Sequence, residues 1–145
     1  MSVTPRTIQI VRRGETTSET AQTSGVTRYA AIAEGTVGSQ RLWVGHTIAP
    51  SGLVSGVHHH GDSESAVYVL RGRVTFFTGD GLRERIDAGP GDFLFVPPNC
   101  LHVEANFGGD EAEFIVARST QEAIVVNRDD IPAPNDLIAE ARAGR

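Results

Sequence analysis

Strand-length segments separated by glycine and proline turns run through most of this chain. Its 145 residues include 16 glycines and 7 prolines, and breaks such as Gly79-Asp80-Gly81 and Pro97-Pro98 mark where segments end. The predicted strands cover residues 28–33, 40–48, 65–70, 73–78, 82–86, 92–96, 100–106, 113–118 and 123–126. Short strands at this spacing predict an all-β sandwich or barrel.

Only the C-terminal segment has a helical pattern. Residues 134–142, with Asn135 as the N-cap, predict one short α-helix. The chain contains no internal repeat and no linker, and its length suits one domain. We therefore expect a single domain over residues 1–145. Its barrel core should span about 40–120, with an N-terminal strand arm at 1–33 and a C-terminal tail at 127–145.

Charge and composition argue against several classes of function. The net charge is −5 at pH 7, and the basic residues are dispersed, whereas nucleic-acid binding needs a concentrated basic face. All 13 basic residues are arginine, which excludes Schiff-base chemistry on lysine. A single cysteine, Cys100, excludes an intrachain disulfide. Neither a signal peptide nor a membrane-length apolar run is present, so we expect a cytoplasmic protein with no membrane partner.

Three of the five histidines are consecutive, and Glu64 follows them closely. In a strand, His58 and His60 point to one face and His59 to the other. Two imidazoles so placed can chelate one metal ion, Glu64 could add a carboxylate, and a β-sandwich could bring His102 opposite them. Such a donor set suits Fe²⁺, Mn²⁺, Zn²⁺, Ni²⁺ or Cu²⁺ and leaves positions open for water and substrate.

Two segments of the chain resemble the sequence motifs of the cupin family. Residues 52–72, with the three histidines, resemble the first motif, and residues 91–106 (GDFLFVPPNCLHVEAN) resemble the second. Asn99 replaces the usual glycine, a mild change because asparagine tolerates positive φ. The resemblance implies a jelly-roll, a double-stranded antiparallel β-barrel. It also implies that one metal ion is bound by His58, His60, Glu64 and His102.

The first motif departs from the family pattern by one residue. Seven residues separate Glu64 from the closing Gly72, where the family has six, so counting back from Gly72 places the ligand position on Ser65. A shift of one residue reverses the face of a strand. Glu64 therefore reaches the metal only if a bulge or turn between Gly61 and Tyr68 absorbs the extra residue.

Glu104 is a second candidate carboxylate. It has the same strand parity as His102 and should also face the interior of the barrel. A carboxylate beside a metal can be a ligand, can orient a bound water or can transfer a proton. We expect a catalytic role for Glu104 in the pocket rather than direct ligation.

Metal sites inside barrels serve different functions in different proteins, and the fold alone does not show which function a given protein has. A dioxygenase-like reaction on a small organic molecule is the first expectation. The alternatives are a non-catalytic protein that binds or senses a metal or small ligand, and a metal-dependent isomerase or decarboxylase. The resemblance also implies a homodimer, because cupins commonly pair through N-terminal strands and Thr7–Val11 is a short alternating segment.

Overall fold

The computed structural model describes residues 7–20, 22 and 25–144. Residues 1–6, 21, 23 and 24 of the expected N-terminal arm and residue 145 of the expected C-terminal tail lie outside this range. The strands in the described range are β1 (Thr27–Ile32), β2 (Trp43–Ala49), β3 (His58–His59), β4 (Ser65–Arg71), β5 (Val74–Thr78), β6 (Glu84–Ala88), β7 (Phe93–Val96), β8 (Val103–Ala105), β9 (Ala112–Arg118) and β10 (Val126–Asn127). The helices are α1 (Glu34–Val37) and α2 (Asn135–Arg142).

The strands form two antiparallel layers. The first layer has the strand order β1-β2-β9-β4-β7, and the second contains β6-β5-β8. An isolated bridge between His58 and His102 joins the pair β3–β10 to the segment before β8, and another between Val54 and Ala105 joins the loop before β3 to β8. The predicted all-β jelly-roll with a short C-terminal helix is therefore confirmed.

Alternating burial along the strands places one apolar face between the layers. In β2, Trp43, Gly45, Thr47 and Ala49 are buried and the residues between them are only partly so. Two clusters of buried side chains fill the interior: Ala49, Val67, Ala112 and Phe114, and Val69, Val74, Phe76 and Ala88. Each fully buried valine or phenylalanine stabilises the fold by roughly 1.5–3 kcal/mol.

The C-terminal helix packs with Ile138 and Ala141 in a cluster with Val57, Phe77 and Val103. The Arg83 guanidinium also donates two hydrogen bonds to Asp136, of 2.8 and 2.7 Å. The helix begins at Asn135, so the predicted N-cap is wrong by one residue: Pro134 occupies that position without a side-chain cap bond. In the described chain, no helix is long and apolar enough to cross a membrane.

Several predicted strand ends differ from the observed ones. Asp80–Leu82 forms a 3₁₀ turn and Leu82 is buried in the core, so β6 begins two residues later than predicted. The segment between the first two predicted strands forms the short helix α1, whose C-cap residue Gly38 has a φ of 75°. Thr7–Val11 forms no strand, and Ile8 and Ile10 are exposed.

Candidate metal centre

Backbone pairing brings the two histidine segments together. His58 in β3 and His102, just before β8, exchange both backbone hydrogen bonds, with N–O distances of 3.1 and 3.0 Å. His60 follows β3 on the same side. The ring centroids are 4.4 Å apart for His58 and His102, 5.0 Å for His58 and His60, and 5.2 Å for His60 and His102. One nitrogen from each ring lies within 4.8 Å of the other two.

Each of the three rings is oriented by a hydrogen bond to a backbone carbonyl. The Nδ1 bonds run from His58 to Gly56 (2.9 Å), from His60 to Ile124 (2.8 Å) and from His102 to Cys100 (2.9 Å). A carbonyl oxygen can only accept, so each Nδ1 carries the proton and each Nε2 keeps its lone pair. This is the arrangement by which proteins orient histidine ligands around a metal.

Burial also keeps the three imidazoles neutral. It lowers the pKa of His58 and of His60, and together with the neighbouring His58 charge it lowers the pKa of His102 to about 3. A histidine must be deprotonated to bind a metal. All three side chains are therefore in the ligating form at neutral pH.

Gly61 permits the contact that orients His60. Its φ is 57°, in the left-handed region, and a Cβ there would lie 2.9 Å from Cγ2 of Ile124. The absence of a side chain lets residue 124 approach closely enough for its carbonyl to accept the His60 hydrogen bond.

The structure does not bring the Glu64 side chain to the three histidines. Glu64 is exposed and precedes β4, and its backbone N–H donates to Ser119 Oγ at 2.9 Å. Strand β4 pairs regularly with β9 from Ser65 to Val69, and the register shifts only at the next residue. No bulge absorbs the extra residue before Tyr68, so Ser65, not Glu64, faces the interior.

Glu104 does lie in the cavity that contains the three histidines. The cavity volume is about 70 Å³, whereas one water needs about 10–15 Å³ on the same scale. Its wall comes from both layers, with Thr47, Val67 and Phe114 on one side and Phe76 and His102 on the other. Burial raises the pKa of Glu104, and the charge of Arg28 opposes this effect.

Two arginines in the cavity wall, Arg28 and Arg118, were not among the predicted site residues. The sequence offers one signal for them. Arg118 shares strand parity with the buried Phe114, and Arg28 with the buried Ala30, so each belongs to an inward-facing series. Parity alone does not show that both series end at the same cavity.

The second motif has the expected local geometry. Asn99 has a φ of 57°, in the left-handed region that the usual glycine would occupy. Its backbone N–H donates to the Gly61 carbonyl at 2.7 Å, which ties the two motifs together next to the histidines.

Comparison with solved structures gives several folds of the same kind. The polyketide cyclase RemF from Streptomyces resistomycificus matches with a TM-score of 0.68 and 19% identity, over 83% of this chain and 85% of that one. KdgF from Halomonas sp. matches with a TM-score of 0.61 and 18% identity, over 87% and 100%. The DMSP lyase DddQ from Ruegeria pomeroyi matches with a TM-score of 0.61 and 24% identity, over 70% and 51%. At these identities the likeness shows the fold alone.

No curated protein matches the sequence significantly. The family model described as "Cupin domain" matches residues 46–118, half of the chain, and this range contains all three clustered histidines. With the antiparallel jelly-roll and both sequence motifs in place, the chain belongs to the cupin family.

Proposed function

We propose that this protein is a mononuclear metal-dependent enzyme that acts on a small organic molecule, with dioxygenase-type chemistry as the first candidate. One observation carries the proposal: one ring nitrogen from each of three histidines lies within 4.8 Å of the other two, in a cavity that also contains a carboxyl group. A structural role alone requires neither three mutually oriented histidines nor an open space beside them.

His58, His60 and His102 would hold one divalent transition metal ion, Fe²⁺, Mn²⁺, Zn²⁺, Ni²⁺ or Cu²⁺. The donor set fits such an ion because the three nitrogens are neutral, share one cavity and have their Nδ1 atoms already engaged. When bound, the ion would polarise an oxygen-bearing substrate and, if redox-active, support reaction with dioxygen.

Glu104 would act as the group that transfers a proton to or from the substrate. Its carboxyl group lies in the same cavity as the three histidines, and burial raises its pKa towards the range in which it can both accept and return a proton. The charge of Arg28 opposes that rise. Proton transfer at a carboxyl group also suits a metal-dependent isomerase or decarboxylase, which is therefore the second candidate.

Oxygen uptake separates the two candidates. Untagged protein is loaded with each metal and assayed with a panel of enols, thiols and diketones, in air and without oxygen. Product formation coupled to oxygen uptake supports the dioxygenase, and turnover without oxygen supports the second candidate. One bound ion per chain without turnover on any substrate would overturn both and leave a non-catalytic binding protein.

A matched pair of variants tests the role of Glu104. Glu104→Gln should lower turnover by about 10²-fold or more if its proton transfer contributes as such groups usually do. Glu84→Gln, which changes an exposed carboxylate of the same layer, should leave turnover unchanged. Equal activity of both variants would remove Glu104 from the mechanism.

We also propose that two copies of the chain associate. Phe93 and Phe95 on β7, a strand at the edge of its sheet, are 78% and 62% exposed, and exposed apolar patches often mark interfaces. Light scattering should give about 31 kDa, twice the chain mass of 15.5 kDa, and a monomer mass for the Phe93→Ser variant. The monomer mass for the unmodified protein would overturn this.

The cytoplasmic location stays a prediction.

A further inference from the structure

Two arginines belong to the wall of the cavity that contains the histidines. Arg28 comes from β1 and Arg118 from the end of β9, and both side chains line the cavity wall. Their charges act on the site: after burial and the charge of His58, those of Arg28 and Arg118 lower the pKa of His60 further. Burial and the charge of Arg28 lower the pKa of Arg118 to about 10.

Arg118 is a buried cation whose observed partners are uncharged. Its side chain is 8% exposed. The guanidinium donates to the carbonyls of Thr120 (3.4 Å) and Gln121 (3.0 Å) and lies 3.8 Å above the Trp43 ring. Within residues 7–20, 22 and 25–144, no carboxylate forms an ion pair with it. Buried charges are normally compensated by an opposite charge.

The charges of the described residues that line the cavity do not sum to zero. Among the described residues of the wall, the charged side chains are Arg28, Arg118 and Glu104, so even with Glu104 ionised this set carries one positive charge, and a bound divalent ion would add two more. Thr47, 1% exposed in the same wall, also has a hydroxyl group without a hydrogen-bond partner among the described residues. An anionic ligand would supply the negative charge that these wall residues lack.

We propose that the cavity binds a small organic carboxylate, whose anionic group is held by Arg118 and whose remaining atoms face the three histidines. A planar guanidinium pairs well with a carboxylate, and a single negative charge balances the arginine excess. The cavity volume of about 70 Å³ limits the ligand to a few heavy atoms. The identification of a carboxylate as the substrate rests on the proposed function. The contact between the anion and the arginines does not require a metal.

Calorimetric titration of the metal-free protein tests the anion contact without the metal. Acetate, oxalate and pyruvate serve as probes, and methyl pyruvate serves as the neutral counterpart of pyruvate. At least one of the acids should bind, and pyruvate should bind at least about 10-fold more tightly than its ester, since charge-assisted hydrogen bonds are the stronger ones. This comparison uses the unmodified protein, so it holds even if an arginine variant fails to fold.

Arginine variants then locate the contact. Arg118→Gln should weaken binding of the acids at least about 10-fold, whereas Arg41→Gln, at an exposed position outside the cavity, should have no effect. Equal binding of pyruvate and its ester, binding of none of the acids, or tighter binding of inorganic phosphate than of any acid would overturn the assignment.

The same titrations distinguish this inference from the proposed function. Acid binding that depends on Arg118, in a protein that takes up no metal, would overturn the metal-dependent enzyme and leave the carboxylate site intact. Metal uptake by the three histidines with no preference for acids would do the reverse.

Discussion

Replacing His102 with alanine should remove most of the stabilisation that a metal gives to the fold. A ligand present at 100 times its Kd stabilises the native state by about 2.7 kcal/mol. For a chain of 145 residues, each kcal/mol raises the Tm by about 3 °C, so Zn²⁺ or Co²⁺ should raise the wild-type Tm by about 8 °C. Removing a hydrogen-bond partner of a metal ligand already lowers affinity by about 10–100-fold, so losing one of the three ligands themselves should lower it by about 100-fold or more. At the same metal concentration, about 0.4 kcal/mol or 1 °C of the shift then remains.

The substitution itself should leave the fold in place. His102 is 3% exposed, and its ring lies against His58 and Phe76. Alanine removes these contacts and the hydrogen bond from Nδ1 to the Cys100 carbonyl, which together are worth about 1–3 kcal/mol. The metal-free variant should therefore melt about 3–9 °C below the wild type.

The assay is a thermal melt at several metal concentrations, combined with metal analysis of the desalted protein. His59→Ala is the matched control, because His59 is adjacent in sequence but lies outside the cavity. It should keep the full metal-dependent shift. A shift in His102→Ala equal to that of the wild type would refute the assignment of the three histidines.

Three further predictions follow from the local geometry. Glu64→Gln should leave the Kd for metal within about 2-fold in calorimetry, since the side chain is exposed; a 10-fold loss would make it a ligand. The pKa of His102 is 6.5 in the unfolded chain and about 3 in the folded protein. The contribution of neutral His102 to the free energy of unfolding is therefore fully present above pH 6.5 and is lost as the pH drops towards 3. In denaturant unfolding of the metal-free protein, His102 should lower the free energy of unfolding by about 1.4 kcal/mol at pH 5.5 relative to pH 7.5. The His102→Ala variant should lose less stability between these two pH values, and equal losses would contradict this. Gly61→Ala should weaken metal binding by displacing Ile124, whereas Gly91→Ala, with nothing within 4 Å of its Cβ, should lower only the Tm; equal metal affinity in both would be the contrary result.

The layered β fold was predictable because turn residues and strand periodicity recur along the chain. The errors fall where tertiary packing overrides those signals. Leu82 looks like a strand residue but is buried in the core from a 3₁₀ turn, with a φ of 60°. The tail helix was placed correctly because its apolar residues, Ile138 and Ala141, follow helical spacing.

The clustering of the three histidines was predictable from the sequence. Which residue occupies the motif's carboxylate position was not. Strand parity groups His58 with His60, and the motif resemblance adds His102. The choice between Glu64 and Ser65 depends on where β4 bulges against β9, which no local residue pattern specifies. The Ile124 carbonyl has no side-chain signal at all, because it acts through the backbone.

Anomalous diffraction from a crystal of untagged, metal-loaded protein tests the central claim most directly. We expect one anomalous peak per chain at about 2.0–2.2 Å from the Nε2 atoms of His58, His60 and His102, with Glu64 remote from it. No peak among these three rings, or a metal bound through Nδ1, would contradict the account.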